Sequence, residues 1–156
     1  MAVDFTLLLT ELAREFDQQA GEGARDNFLR KVGHRIACRV TLPVCETLLD
    51  LELEMNVQLA TLGWGQTRLF LDETQACLRL THKDLPLLGS TGTPSGRWLT
   101  ACLAGLYEQW LMDQPNATEN CRVTWVSQTS STALESLQFE YGLNRTTTGC
   151  SLRQDD

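Results

Sequence analysis

The chain is 156 residues long, 42% hydrophobic and 21% charged, enough length and apolar content for a folded core and unlike the composition of collagens, linkers or disordered tails. Twenty Asp and Glu against thirteen Lys and Arg leave a net charge of −7, so a polyanionic partner meets net repulsion and no nucleic-acid binding is expected. No apolar run approaches the roughly 18 residues that span a bilayer, and the stretch from Met1 to Glu11 lacks the basic start of a secretory signal, so a cytoplasmic, not membrane-spanning protein is expected, with the periplasm as the alternative.

Phe5, Leu8, Leu9, Leu12 and Phe16 recur at intervals of three and four, which places them on one face of a first helix opened by Asp4 and ended by Gly21 and Gly23. Ala24, Phe28, Val32 and Ile36 repeat every four residues as the apolar stripe of a second helix, with Arg25, Arg30, Lys31, Arg35 and Arg39 on its remaining surface. Pro43 closes that helix and opens a third, which runs through Leu48, Leu51, Met55, Leu59 and Leu62 to Gly63 with Glu46, Asp50, Glu52 and Glu54 outward. After Gly63-Trp64-Gly65 the period falls to two. Thr67 to Leu71 and Ala76 to Thr81 then read as a β-hairpin around the turn Asp72 to Gln75.

Leu85 to Gly96 is rich in Gly, Ser, Thr and Pro and reads as a surface loop. A fourth helix begins at Arg97 or Trp98, turns Leu99, Cys102, Leu103, Leu106, Tyr107 and Trp110 inward, and stops at Pro115-Asn116. Two short strands, Cys121 to Val126 and Leu137 to Leu143, complete the order ααα-ββ-α-ββ. The expected fold class is therefore α+β, with helices packed on a small antiparallel sheet. Residues 1–143 form one domain in this reading, and 144–156 are a polar C-terminal tail.

Residues suited to chemistry are scattered. The Gly-rich run from Gly89 to Gly96 lacks the Gly-Lys-Ser/Thr ending of a phosphate loop. His34, Cys38 and Cys45 are the nearest approach to a metal cluster, but no fourth ligand accompanies them and no Cys-x-x-Cys pair exists. His82 has no nucleophile motif around it, and the carboxylate pairs Glu11/Glu15 and Asp50/Glu54 fall on outward faces. Trp64, Trp98, Trp110 and Trp125 have two readings, stacking on sugar rings or packing in the core, and their inward periodicity favours packing. The six cysteines read as reduced, since four of them sit inside apolar patterns. No catalytic residue, no metal and no cofactor is assigned.

Several strings resemble one family. Asp4-Phe5-x-Leu-x-Leu, Asp17-Gln18-Gln19-Ala20-Gly21 and Arg25-Asp26-Asn27-x-Leu29-Arg30-x-Val32-Gly33 are similar to the bacterial cellulose synthase D-subunit family, also called cellulose synthase operon protein D. Glu52-Leu53-Glu54-Met55-Asn56, Gly63-Trp64-Gly65, His82-x-Asp84-Leu85-Pro86-x-x-Gly89-Ser90, Gly105-Leu106-Tyr107-x-x-Trp110 and Gln114-Pro115 follow in the same order. The resemblance runs from Asp4 to Pro115 and weakens over the last two strands and the tail. It implies a non-enzymatic accessory component of the cellulose synthesis and secretion machinery, a homo-oligomer built as an octamer from dimers, which guides β-1,4-glucan chains toward crystalline assembly. Other components of the cellulose synthase complex are its implied partners.

Two other functions fit the same residues: a self-assembling cytoplasmic scaffold without glucan contact, and a small-molecule-binding domain with an apolar pocket. If glucan is contacted, a polar surface with many weak, water-mediated contacts suits a sliding, uncharged chain. The exposed side of the first helix offers such a stripe in Asp4, Thr6, Thr10 and Arg14, for which an ordinary solvated helix face is the competing reading.

Overall fold

A computed structural model describes residues 3–88, 98–126 and 136–143. Its elements are α1 (Thr6–Ala20), α2 (Glu22–Arg39), α3 (Leu48–Leu62), β1 (Gln66–Asp72), β2 (Cys77–Lys83), α4 (Thr100–Met112), β3 (Cys121–Val126) and β4 (Ser136–Leu143). The expected order is observed, and the four strands form one antiparallel sheet in the order β1-β2-β4-β3. The Gly-rich run 89–96 and the tail 144–156 lie outside the described residues. Among the described residues, no helix is long and apolar enough to cross a membrane.

α4 is the hub. A surface helix buries one stripe, but residues on every side of this one are buried, from Thr100 through Glu108 to Leu111. Its Leu103, Leu106, Tyr107 and Trp110 meet Met55 and Leu59 of α3, Leu80 of β2, Val123 of β3 and Phe139 of β4 in one apolar cluster. The Tyr107 ring sits edge-on to Phe139 with centroids 5.7 Å apart, an arrangement that aromatic quadrupoles favour.

α2 crosses α4 at close range through two glycines. A Cβ built on Gly33 would overlap the Cys102 carbonyl oxygen, and one built on Gly105 would overlap the Arg30 carbonyl oxygen. This contact turns α2 one residue away from the expected face: Arg25, Leu29, Gly33 and Ala37 are buried, whereas Ala24 and Phe28 are exposed. Arg25, which the sequence pattern places on the surface, is 2% exposed. Its guanidinium donates to both Asp17 oxygens at 2.7 Å and to Asp26 at 3.0–3.1 Å, tying the end of α1 to the start of α2 around Gly21.

The start of α3 also differs from expectation. Gln114 donates to the Pro43 carbonyl at 3.1 Å and accepts from the Cys45 amide at 2.9 Å, and Trp110 Nε1 donates to the Val40 carbonyl at 2.7 Å. These tertiary contacts satisfy the backbone of the segment after α2 without helix, so α3 begins only at Thr47, whose hydroxyl accepts the Asp50 amide. Gly63 ends α3 with a φ of 69°.

Both edges of the sheet are covered by side chains from helices. Asn56 accepts from the Thr67 amide at 2.8 Å and donates to the Thr67 carbonyl at 2.9 Å. One helical turn earlier, Glu52 accepts from the Leu69 amide at 2.8 Å. The sequence pattern turns Glu52 outward; the free edge of β1 draws it in. At the opposite edge, Glu108 accepts from the Val123 amide at 2.9 Å. Unpaired strand edges invite association with other strands, and these carboxylate and amide groups use up the available donors. The surface-loop reading fails at Leu85 and Leu88, which are buried against the core.

Candidate functional site

The face of α1 carrying Phe5, Leu8, Leu9 and Leu12 does not pack on the protein's own core. Those residues remain 56%, 60%, 37% and 52% exposed, Leu7 is 74% exposed, and Ala13 is the buried residue of the helix. Phe16 stacks on Phe28 of α2 with centroids 5.3 Å apart, so α1 meets the rest of the fold near its C-terminal half. A second stripe lies on α3, where Leu49, Leu53 and Val57 repeat every four residues and are all more than half exposed. The alternation on α3 is legible in the sequence, but only the packing shows that its outward face is apolar as well as acidic.

The candidate glucan-contact residues all fall on α1 or at its start. Asp4 Oδ1 accepts from the Thr6 amide at 2.8 Å, which holds the first turn although Asp4 lies one residue before the capping position. The Thr6 hydroxyl and amide hold the Asp4 carboxyl below the usual carboxylate range. Thr10 Oγ1 donates back to the Thr6 carbonyl at 2.7 Å, and Arg14 Nη1 donates to Glu11 at 3.0 Å. Asp4, Thr6 and Arg14 are exposed and Thr10 is half-buried. They form one polar strip beside the apolar stripe, each group already hydrogen-bonded within the helix.

Tertiary folding assembles two polar clusters that the sequence does not announce. Glu108, 8% exposed in the middle of α4, accepts from Arg30 Nη1 at 2.8 Å and lies 3.0 Å from His34 Nε2. His34 Nδ1 lies 3.0 Å from Gln109 Oε1, and Gln109 in turn donates to Asp113 at 2.8 Å. His34 is thus occupied by α4 and is not gathered with Cys38 or Cys45; Cys38 is exposed, and Cys45 Sγ donates to the Pro43 carbonyl. Among the described residues, no group of three His, Cys, Asp or Glu side chains is placed to hold a metal ion.

The second cluster is wholly interior. His82 Nε2 donates to the Trp64 carbonyl at 2.7 Å and Nδ1 lies 2.6 Å from the Tyr107 hydroxyl, with Thr67 alongside. Burial pushes the Tyr107 phenol above its usual range, and burial pushes the Cys102 thiol up to about 12. Buried, mutually satisfied polar groups of this kind specify a unique packing. The joint presence of His82, Tyr107 and Trp64 in the family-like strings is the available sequence signal for this cluster; Glu108 has none, because it stands in an otherwise apolar helix.

An α+β domain with a buried central helix, covered sheet edges and two uncovered apolar helix stripes has the character of an assembling protomer. Comparison with known proteins places it among such chains: the family model described as the D subunit of cellulose synthase matches residues 1–141, and the chain belongs to that family. It is 42% identical over 121 residues to the cellulose synthase operon protein D of Komagataeibacter xylinus, covering 78% of both chains. The protein of the same name from Komagataeibacter sucrofermentans shows the same identity and coverage. The family match extends past Pro115 to residue 141 and so includes β3 and most of β4, where the sequence resemblance is weak.

Proposed function

We propose that this chain is a non-enzymatic accessory component that assembles into a closed homo-oligomer and organises glucan chains for the cellulose synthesis machinery. Membership of the cellulose synthase D-subunit family supports a role in cellulose synthesis. The observation that carries the assembly reading is the pair of uncovered apolar stripes on α1 and α3. A closed assembly of dihedral symmetry needs at least two distinct interfaces, one to make twofold dimers and another to join them. Two stripes on two helices supply that number, and an octamer from dimers is the form the family resemblance implies. The partners in this reading are further copies of the chain and the other components of the synthase complex, met in the cytoplasm.

Glucan passes, in this reading, along the strip of Asp4, Thr6, Thr10 and Arg14. Short, locally hydrogen-bonded polar groups offer a hydroxyl-rich chain weak, exchangeable contacts, which suits passage better than capture. The scaffold reading without glucan contact draws on the same observation, since these groups already have partners within α1.

Light scattering and native mass spectrometry of the purified protein test the assembly. The octamer is expected for the wild type, and Leu8→Glu with Leu12→Glu is expected to yield smaller species that remain helical by circular dichroism. A wild-type monomer at micromolar concentration would remove the assembly reading. Thr6→Leu with Thr10→Leu is expected to keep the octamer while lowering cellulose yield or crystallinity in a complemented deletion strain. Unchanged cellulose from that assembled variant would leave the scaffold without glucan contact.

A further inference from the structure

α2 and α4 cross at Gly33 and Gly105 with their N-terminal ends on the same side, and there the edge strand β3 closes a cleft of about 500 Å³. That volume lies within the roughly 300–1,000 Å³ typical of small-molecule sites. Its walls combine two indoles, Trp98 and Trp125, with the guanidinium groups of Arg25, Arg30 and Arg122 and the amide of Asn27. Trp125 is half-buried, whereas Trp98 is 5% exposed and its indole N–H has no hydrogen-bond partner among the described residues. None of these residues belongs to the α1 strip or to either apolar stripe.

Charge decides what the cleft suits. Three arginines in an acidic protein suggest an anion, but they are already countered. Arg25 is paired with Asp17 and Asp26, and Arg30 with Glu108; Glu22 also lines the wall near exposed Arg122. The carboxylates of Asp17, Asp26, Glu22 and Glu108 outnumber the guanidinium groups, so no cation is left in excess for a phosphate. What remains are fixed, pre-oriented N–H donors and carboxylate acceptors beside an aromatic face. That combination matches a neutral pyranose ring, whose C–H face packs on an indole while its equatorial hydroxyls meet directional donors and acceptors. An indole N–H without an acceptor costs free energy, and a ligand hydroxyl would relieve it.

We infer that this cleft is a binding site for a neutral β-1,4-linked glucose oligomer, with Trp125 as the stacking platform and Arg122 and Asn27 as hydroxyl partners. The inference rests on the reading of the chain as a glucan-handling protein, and adds a holding site on the α2–α4–β3 side to the passage strip on α1. A site that stacks a ring holds more firmly than one of scattered hydroxyl contacts, so the cleft would retain a chain end or a short stretch while the α1 strip lets it slide.

Isothermal titration of the assembled full-length protein with cellohexaose tests this, with maltohexaose and inorganic phosphate as comparison probes. Wild type is expected to bind cellohexaose; Trp125→Ala is expected to weaken binding at least tenfold, and Arg122→Ala several-fold. Because Arg122 is exposed, its removal leaves the fold intact, so the test survives if Trp125→Ala unfolds. Thr6→Leu with Thr10→Leu is expected to leave this binding unchanged. Equal binding by wild type and Arg122→Ala, or by wild type and folded Trp125→Ala, overturns the cleft. Binding lost only in the Thr6/Thr10 variant overturns it too, while upholding glucan contact on α1. Heat from phosphate but not from cellohexaose overturns it in favour of an anion site. Absence of cellohexaose binding by an intact octamer overturns it and leaves the assembly reading standing.

Discussion

Replacing Gly33 by Ala should destabilise the protein, although the same change in an ordinary helix stabilises it. Helix propensity alone favours Ala by about 1 kcal/mol. In this fold, however, the new Cβ overlaps the Cys102 carbonyl oxygen and comes within 2.7 Å of the Leu106 nitrogen and 2.9 Å of the Cys102 carbonyl carbon. Those are backbone atoms of a buried helix, not the ends of flexible side chains. Relieving the contact to an ordinary separation of about 3.5 Å requires α2 and α4 to part by roughly 0.8 Å or more, which opens space along the closest helix contact of the fold. Overpacking of this kind costs about 1–3 kcal/mol and sometimes more, so the net change after the propensity gain is a loss of about 1–2 kcal/mol. At roughly 2–4 °C per kcal/mol for a chain of this size, the expected fall in melting temperature is about 2–8 °C. Gly23→Ala is the control: nothing lies within 4 Å of its built Cβ, and it should leave the melting temperature unchanged or slightly raised. Thermal unfolding followed by circular dichroism reads both variants. If Gly33→Ala melts at or above the wild-type temperature, the glycine-mediated crossing is not a constraint and the account of why α2 presents Arg25 and Leu29 inward fails with it.

Glu108→Ala removes the acceptor for Arg30 and for the Val123 amide at once, and the buried guanidinium left behind should cost about 3–5 kcal/mol in urea unfolding; a loss under about 1 kcal/mol would show that water replaces the carboxylate. Cys102, whose thiol burial raises to about 12, should resist a thiol reagent at about pH 8 in the folded protein while exposed Cys38 reacts within minutes; equal labelling rates would place Cys102 at the surface. The Thr74 hydroxyl and the Thr74 and Gln75 amides hold the Asp72 carboxyl below the usual carboxylate range. Its contribution to the hairpin turn is therefore complete above its unfolded pKa and lost as pH falls through the lower folded value. The gap in melting temperature between wild type and Asp72→Ala should stay constant from about pH 7 to about pH 5 and shrink toward about pH 2; a gap that persists unchanged to that acidity would mean that the charged form is not what closes the turn.

Period and punctuation were enough for the element list. The switch from a spacing of three and four to a spacing of two after Gly63, the Asp72 turn, and the alternation of Leu137, Phe139 and Tyr141 determine helix, hairpin and strand by local sterics and by which side chains share a face. Strand ends were legible for the same reason. The family strings from Asp4 to Pro115 carried the functional reading, because their order and spacing say more than any single residue type in them.

What local pattern could not hold is set by contacts between residues far apart in the chain. The burial of Arg25, Glu52 and Glu108 depends on a partner eight, seventeen or seventy-eight positions away, and charge in the sequence reads as outward until that partner is known. The extended segment before Thr47 is stabilised by Gln114 and Trp110, so its proline alone gave the wrong helix start. Apolar periodicity marks a face that leaves water but not what covers it. The stripe of Phe5, Leu8 and Leu12 obeys the same spacing as a core face, and only the tertiary packing shows that this chain leaves it open.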